Sequence, residues 1–328
     1  MNIIKQFQKL NSTQQIELIK QLKNKVGSQT KILSLRPEIT NCSHCNSKNI
    51  VKFGTYSGKR RFKCKDCKKT FSELSGTSIS YIKKPEKWFP FIDLMLENKT
   101  IREISKELDL NTHTVFDWRH KVLSSLEEIF TKEFRGIVET DDIYFLLNQK
   151  GRKKNFVDLG KRKRGISDQQ ISVMVTSDRY GTIDMRTVKR GRILKKDLER
   201  VIDKKRLNKD NIICSDKHPS ITSFVKSLGL EHIKLNSSKK QYVIDNIYHV
   251  QKVNNITSDF RKWVSGNFNN VSSKYLQNYL FWYKINQVIK LDKKDNEVEK
   301  FLEYSLKDTK TIKRKNNIET EYQKILSY

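Results

Sequence analysis

The sequence predicts a multidomain protein: a small β ribbon carrying four cysteines, then a pair of short helices, then a mixed α/β domain. Three observations give this order. Two C-x-x-C pairs, Cys42 with Cys45 and Cys64 with Cys67, bracket a stretch that alternates like two strands. Between 86 and 130, apolar residues recur at helical spacing in two short segments. From 136 onward, strand-like runs alternate with helical patterns.

Charge narrows the partners. Lys and Arg total 66 against 37 Asp and Glu, a formal charge of +29 over 328 residues. Such an excess points to a polyanion, most often nucleic acid, although the abundance of Lys, Asn and Ile is also what an AT-rich genome produces. The first residues, MNIIKQFQKLNSTQQIELIKQL, lack the apolar centre of a signal peptide. No stretch approaches the ~18 apolar residues of a membrane span, so an intracellular protein without a membrane partner is expected. In that reducing setting, four cysteines in two C-x-x-C pairs favour metal over disulfides.

Residues 1–38 read as one or two amphipathic helices, with Ile3, Ile4, Phe7 and Leu10 on one stripe and Ile16, Leu18, Ile19 and Leu22 on the next. Packing on a neighbour and self-association both fit. Residues 39–75 read as a zinc ribbon. CSHC and CKDC stand eighteen residues apart, and VKFGTYSGKRRFKC between them alternates like a hairpin turning at Ser57-Gly58. Four thiolates close a tetrahedral Zn²⁺ site and leave no position open, so the metal is structural. Two disulfides are the alternative. The ribbon displays Lys59, Arg60, Arg61, Lys63, Lys65, Lys68 and Lys69, of which Arg60 and Arg61 are candidate DNA contacts. His44 is a bystander or a DNA contact.

Residues 76–132 read as a helix-turn-helix. Thr100 and Glu103 form a capping box, followed by Ile101, Ile104 and Leu108 on one face. After a turn at Asp109 and Leu110, Asn111 or Thr112 caps a second stripe of Val115, Trp118 and Val122. That places Thr112, His113, Phe116 and Asp117 at the start of a recognition helix. An ordinary helical hairpin gives the same pattern, but one directly behind a basic ribbon favours the DNA-binding reading.

Residues 133–288 form the α/β domain, and 289–328 a charged, helix-prone tail without a chemical motif. Strands are expected at 137–145, 171–177, 182–188 and 211–215, and helices at 194–205, 218–228, 248–264 and 272–288. In GIVETDDIYF the apolar run is broken by Glu139, Asp141 and Asp142, and acids are poor strand formers. Strand alternation puts Glu139 and Asp141 on one face and Asp142 on the other. At least one of these carboxylates faces a cleft or a core, where it needs a cation or hydrogen bonds; an exposed edge strand is the plainer reading. The basic loop KGRKKNFVDLGKRKRGISDQQ fits a solvated segment or a grip on DNA equally well. In IICSDK an apolar strand ends on Asp216, the usual location of sites in open α/β sheets. Cys214, inside that strand, reads as a buried core residue. Three strands, a helix and a strand ending in an acid predict a ribonuclease H-like fold, in which an acid on the first strand and another after the fourth bind two Mg²⁺ ions.

The order of ribbon, helix-turn-helix, GIVETDDIYF, KRGISDQQISV, CSDKH and YHVQKVNNITSDFRKWV…FNNVSSKYLQNYLFWY resembles bacterial insertion-sequence transposases of the DDE type with an N-terminal zinc ribbon. The resemblance spans roughly residues 40–285. It implies an integrase-type catalytic domain in which Asp141 and Asp216 are the first two catalytic residues. Asn254 stands at the third position, where many relatives have Glu. These three would hold Mg²⁺ or Mn²⁺, the Asn through its carbonyl oxygen. Arg261 follows two helical turns later on the same face, suited to the DNA backbone, and His249 is a candidate contact to the scissile phosphate. Without the resemblance Asp245 would be preferred as the third acid. The resemblance further implies double-stranded DNA partners (transposon ends and target), a homo-oligomer in a synaptic complex, and a bacterial cytoplasmic, nucleoid-associated location. The expected reaction is cleavage at the element's terminal repeats and joining of the 3′-hydroxyls to target DNA. Two rivals stay open: a DNA-binding regulator without catalysis, and a decayed transposase.

Overall fold

The computed structural model describes residues 3–8, 10–36, 38–127, 132–151, 160–291, 296–307 and 311–327. The chain divides into two compact units, Met1–Ser125 with Ile289–Arg314 and Leu126–Val288 with Lys315–Tyr328. The expected tail is thus shared between the two units. Part of the basic loop, residues 152–159, lies outside the described residues.

The first unit opens with helices α1 (Ile3–Gln8) and α2 (Ser12–Ser34). Asn11 caps α2 in a reciprocal box with Gln14, as a short polar side chain ahead of a helix does. Ile16 and Ile19 are exposed, while Ile32 near the other end of α2 is buried. Three antiparallel strands follow, β1 (Ile50–Tyr56), β2 (Lys59–Cys64) and β3 (Thr70–Ser72), in the order β1-β2-β3. The hairpin turns at Ser57 and Gly58, both at positive φ, the requirement of a two-residue type I′ turn. Phe62 and Phe71 stack beneath it at 5.6 Å.

Helices α3 (Trp88–Leu96), α4 (Ile101–Glu107) and α5 (Thr112–Ser124) complete the N-terminal part. Trp88, Phe91 and Trp118 interlock with ring centroids 5.1–5.4 Å apart. The capping box of Thr100 and Glu103 starts α4, and Asn111 starts α5 by accepting the His113 amide. The helix Glu297–Lys307 belongs to the same unit: Phe301, Leu302 and Leu306 are fully buried, and Ser78 donates to the Ser305 carbonyl at 3.1 Å.

The second unit is built on strands β4 (Ile137–Leu146), β5 (Gln170–Asp178), β6 (Ile183–Arg190), β7 (Ile212–Asp216) and β8 (Glu231–Leu235). Their order is β6-β5-β4-β7-β8. The pairs β4/β5 and β5/β6 are antiparallel, whereas β4/β7 and β7/β8 are parallel. Helices α6 (Lys195–Val201), α7 (Pro219–Leu228), α8 (Gln251–Phe268) and α9 (Leu276–Leu291) flank the sheet. The last two helices are α10, the Glu297–Lys307 helix of the first unit, and α11 (Thr311–Ser327).

Each sheet face buries its own core. Val138, Met174, Val188 and Ile213 pack with Leu198 of α6 and Phe224 of α7. Ile143, Val173, Val175 and Met185 pack with Val253 and Phe260 of α8 and Leu280 and Tyr283 of α9. Because strand side chains alternate, Glu139 and Asp141 share the α8 face of β4 with Ile143.

Three elements differ from expectation. β8 was not anticipated. The helix expected over 194–205 stops at Ile202, which turns extended, because Asp203 then caps a separate single turn by accepting the Lys205 amide. The helix expected from 248 begins at Gln251, after a turn in which Ile244 and Tyr248 exchange backbone hydrogen bonds. Among the described residues no helix is long and apolar enough to cross a membrane.

Candidate active site

Asp141 and Asp216 meet through strand register. β4 and β7 run parallel with Glu139 opposite Cys214, so two residues further on Asp141 comes level with Asp216. Their electrostatics agree. Burial pushes the Asp141 carboxyl up to about 7, and the charges of Asp216 and Asp142 add to it. Asp216 is raised by burial and then by Asp142, against a lowering contribution from His218. Asp142 is a third carboxylate at this corner that alternation alone assigned to the opposite face. Its amide donates to Asp141 Oδ1 at 2.9 Å, and the Tyr144 hydroxyl donates to its carboxylate. Among the described residues no Lys or Arg forms an ion pair with any of the three aspartates. In a chain of +29, this corner is left without a Lys or Arg counter-ion among the described residues.

Such a corner suits a divalent cation. Buried like charges destabilise one another unless a cation or proton intervenes, and hard cations take carboxylate and amide oxygens. The donor set of Asp141, Asp216 and Asn254 is therefore of the right kind for Mg²⁺ or Mn²⁺. The three aspartates are spread more widely than a closed cage. Among the described residues, only the four cysteines form a group of three or more Cys, His, Asp or Glu with ligand atoms within 4.8 Å of one another.

Helix α8 carries the remaining candidates. It runs beside β4, tied to that strand near its start and again past its middle. Near its start the Lys252 and Val253 amides donate to Glu139 Oε2 at 2.8 and 3.3 Å. Further along, Arg261 reaches the Tyr144 carbonyl at 3.4 Å and lies over the Phe145 ring at 5.7 Å. Asn254 follows Val253 directly and is exposed, at the end of the helix nearest Glu139 and Asp141. Arg261 is also exposed, seven residues on. His249 is not on the helix, and its ring is engaged by Arg179, with Nη1 2.9 Å from Nε2. Asp245 lies in the turn before α8, exposed and at φ 50°. Glu139, which sequence alone left as one of three acids, is fully buried.

The cysteine site sits in the first unit. Cys42 Sγ lies 3.7 Å from Cys67 Sγ, and Cys45 Sγ 3.6 Å from Cys64 Sγ. Four sulfurs held at the ~2.3 Å bond length of tetrahedral zinc stand about 3.8 Å apart, so the cluster could take Zn²⁺ with little adjustment. Backbone amides point at two of the sulfurs, His44 N at Cys42 and Cys67 N at Cys64. The Cys67 amide helps lower the Cys64 thiol to about 7, while, against the Ser47 backbone contact, burial and the neighbouring thiols push Cys45 up to about 12. His44 Nε2 approaches the Thr70 carbonyl at 3.4 Å.

The DNA-contact candidates differ in their engagements. Thr112 and His113 are exposed at the start of α5, and His113 Nδ1 lies 3.6 Å from Asp117. Arg61 lies over Phe53 at 5.5 Å and over Tyr56 at 6.0 Å, on the ribbon's exposed face. Arg60 is tied to buried Glu73, its Nε 2.7 Å from Oε2.

Comparison with known proteins bears on the second unit. Residues 133–286 match the family described as ISXO2-like transposase domain. An uncharacterised protein in the transposable element ISH50 of Halobacterium salinarum is 28% identical over 148 residues, which are 42% of this chain and 49% of that protein. The chain thus spans about half the length of that curated relative. A solved Mos1 transposase paired-end complex with the left transposon end is 14% identical over 73% of this chain and 77% of that one, with a TM-score of 0.25. A pre-cleavage Mos1 transpososome is 13% identical over 66% and 76%, with a TM-score of 0.23. Likeness at that level specifies nothing further about this chain.

Proposed function

We propose, from the match of residues 133–286 to the family described as ISXO2-like transposase domain, that this protein is an insertion-sequence transposase that binds the ends of its own element, cuts them and transfers the 3′ ends to target DNA. The observation that carries the chemistry is the Asp141–Asp216 pair: two raised carboxyls, level with one another on adjacent strands, with no Lys or Arg ion-paired to either among the described residues. The strand order, with three antiparallel strands continued by two parallel ones, supports a ribonuclease H-like, integrase-type domain.

Asp141 and Asp216 would hold two Mg²⁺ or Mn²⁺ ions, with the Asn254 amide oxygen completing the set. When bound, such ions supply Lewis-acid stabilisation of the attacking and leaving oxygens of phosphoryl transfer. The protein's own part is positioning. Asp141 and Asp216 are fixed by strand register, Asn254 by the start of α8, and Arg261 offers a guanidinium to the DNA backbone beyond them. The ribbon, with Zn²⁺ on its four cysteines, and α5 would present Arg61, Thr112 and His113 to duplex DNA. Pairing of two ends makes a homo-oligomer the working form.

The test is cleavage of DNA carrying the element's ends, with Mg²⁺ or Mn²⁺ and with chelator. Wild type should cut only with metal, and Asp141→Ala and Asp216→Ala should not cut while binding end DNA normally. A contact made chiefly in the transition state lowers turnover and spares affinity. Metal-independent cutting, or cutting by Asp141→Ala, would refute the assignment. End binding without any cleavage by wild type would favour the regulator or relic reading.

A further inference from the structure

From the geometry around Glu139 we infer that this buried carboxylate is a positioning residue, which sets where α8 begins and so where Asn254 stands relative to Asp141. The inference rests on the reading of Asn254 as a metal ligand. Glu139 Oε2 receives both the Lys252 and the Val253 amides, two of the free donors in the first turn of α8, and Asn254 is the next residue. A helix begins with unsatisfied N–H groups and a partial positive charge, so a carboxylate placed there fixes its axial position. Glu139 is fully buried on the α8 face of β4, two residues before Asp141. The metal-binding strand and the third ligand's helix therefore take their relative height from one side chain.

The other oxygen explains how a buried carboxylate is tolerated. Glu139 Oε1 makes no hydrogen bond, but Arg179 Nη2 stands 3.1 Å from it and His249 Nδ1 3.5 Å. Arg179 also binds the Ile247 carbonyl at 2.9 Å and His249 Nε2 at 2.9 Å. The Gln251 amide in turn points at His249 Nδ1 at 3.3 Å, so the imidazole links Arg179 to the first residue of α8. Arg179 is itself held in the β5–β6 turn, where Asp178 Oδ1 accepts the Tyr180 and Thr182 amides. Lys252 adds a bond from Nζ to the Asp178 carbonyl at 2.7 Å. The turn, the segment before α8 and the start of α8 converge on Glu139. Glu139 thus joins the β5–β6 turn to the stretch that leads into α8, and those contacts offset the cost of burying its carboxylate.

The experiment compares full-length wild type, Glu139→Ala and Glu139→Gln by amide hydrogen exchange and by direct Mn²⁺ binding without DNA. Glu139→Ala should lose at least tenfold in protection at Lys252 and Val253 while β5 and β7 keep theirs, and should bind Mn²⁺ at least tenfold more weakly. Glu139→Gln retains an acceptor oxygen and should recover most of the protection. Unchanged protection in Glu139→Ala, or a loss spread evenly over the sheet and not recovered by Glu139→Gln, would overturn the inference. So would localised loss of protection with Mn²⁺ binding unchanged. Should wild type itself bind no Mn²⁺, the metal reading of Asn254 falls, and the exchange result alone decides whether Glu139 positions α8.

Discussion

An aspartate whose carboxyl is raised to about 7 strains the folded chain once it ionises. An unfolded Asp titrates near 3.9, so between about pH 4 and pH 7 the native state holds a proton that the unfolded state has released. Stability therefore falls as pH rises through that window. Metal-free Asp141→Asn should melt higher than wild type at pH 8 and equally near pH 4. Added Mn²⁺ should raise the melting temperature of wild type more than that of the variant. Thermal scans at the two pH values check this, and an identical shift at both would show that the carboxylate is not strained. Asn254 is tested separately. Asn254→Ala should abolish cleavage and leave end binding nearly unchanged, whereas Asn254→Asp should retain some activity. Normal cleavage by Asn254→Ala together with loss in Asp245→Ala would move the third ligand. Asp141 and Asp216 were legible as candidates because acids interrupt or end apolar strands. The engagement of Glu139 was not, since its partners lie 113 and 114 residues away and no local pattern encodes such a contact.

Elements with a strong local signal were legible in the sequence, and those defined by long-range contacts were not. The box at Thr100 marks a helix start that the structure reproduces to the residue, and of Asn111 and Thr112 as caps for the next helix the structure uses Asn111. By contrast EHIKL, the β8 strand, is half exposed and shows no clean alternation; its pairing with β7 makes it a strand. A second long-range feature is the buried cluster on β6. Asp184 faces Arg206 Nη1 at 2.8 Å, Arg186 Nε at 3.1 Å and Lys284 Nζ at 3.7 Å. Burial alone would raise its carboxyl, but the three cations bring it below the ordinary range, while burial lowers Lys284 to about 7. The cluster fastens α9 and the segment after α6 to the sheet edge. Asp184→Asn leaves buried cations uncompensated and should destabilise the protein by about 3–5 kcal/mol. Denaturant unfolding reads this directly, and a loss below ~1 kcal/mol would mean the cations find other partners.

At the scale of the molecule, the first unit takes in a helix from the far end of the chain. Phe301, Leu302 and Leu306 are buried there, so a fragment ending near 132 would lack part of its core, and DNA binding is better measured on the full chain. End binding by the full chain should weaken steeply with salt, because Lys and Arg neutralising phosphates release counterions; a flat salt response would contradict a phosphate-gripping role. The Cys42, Cys45, Cys64 and Cys67 site should hold one Zn²⁺ per chain, and its removal should unfold the ribbon, since metal binding supplies folding energy to so small a domain. The central claim, that Asp141, Asp216 and Asn254 form one divalent-metal site, is tested most directly by anomalous scattering from crystals grown with Mn²⁺. A peak is expected between the Asp141 and Asp216 carboxylates, within bonding distance of both, with the Asn254 amide oxygen turned toward that region. A map with no Mn²⁺ at this corner, or with Mn²⁺ bound only by other residues, would contradict it.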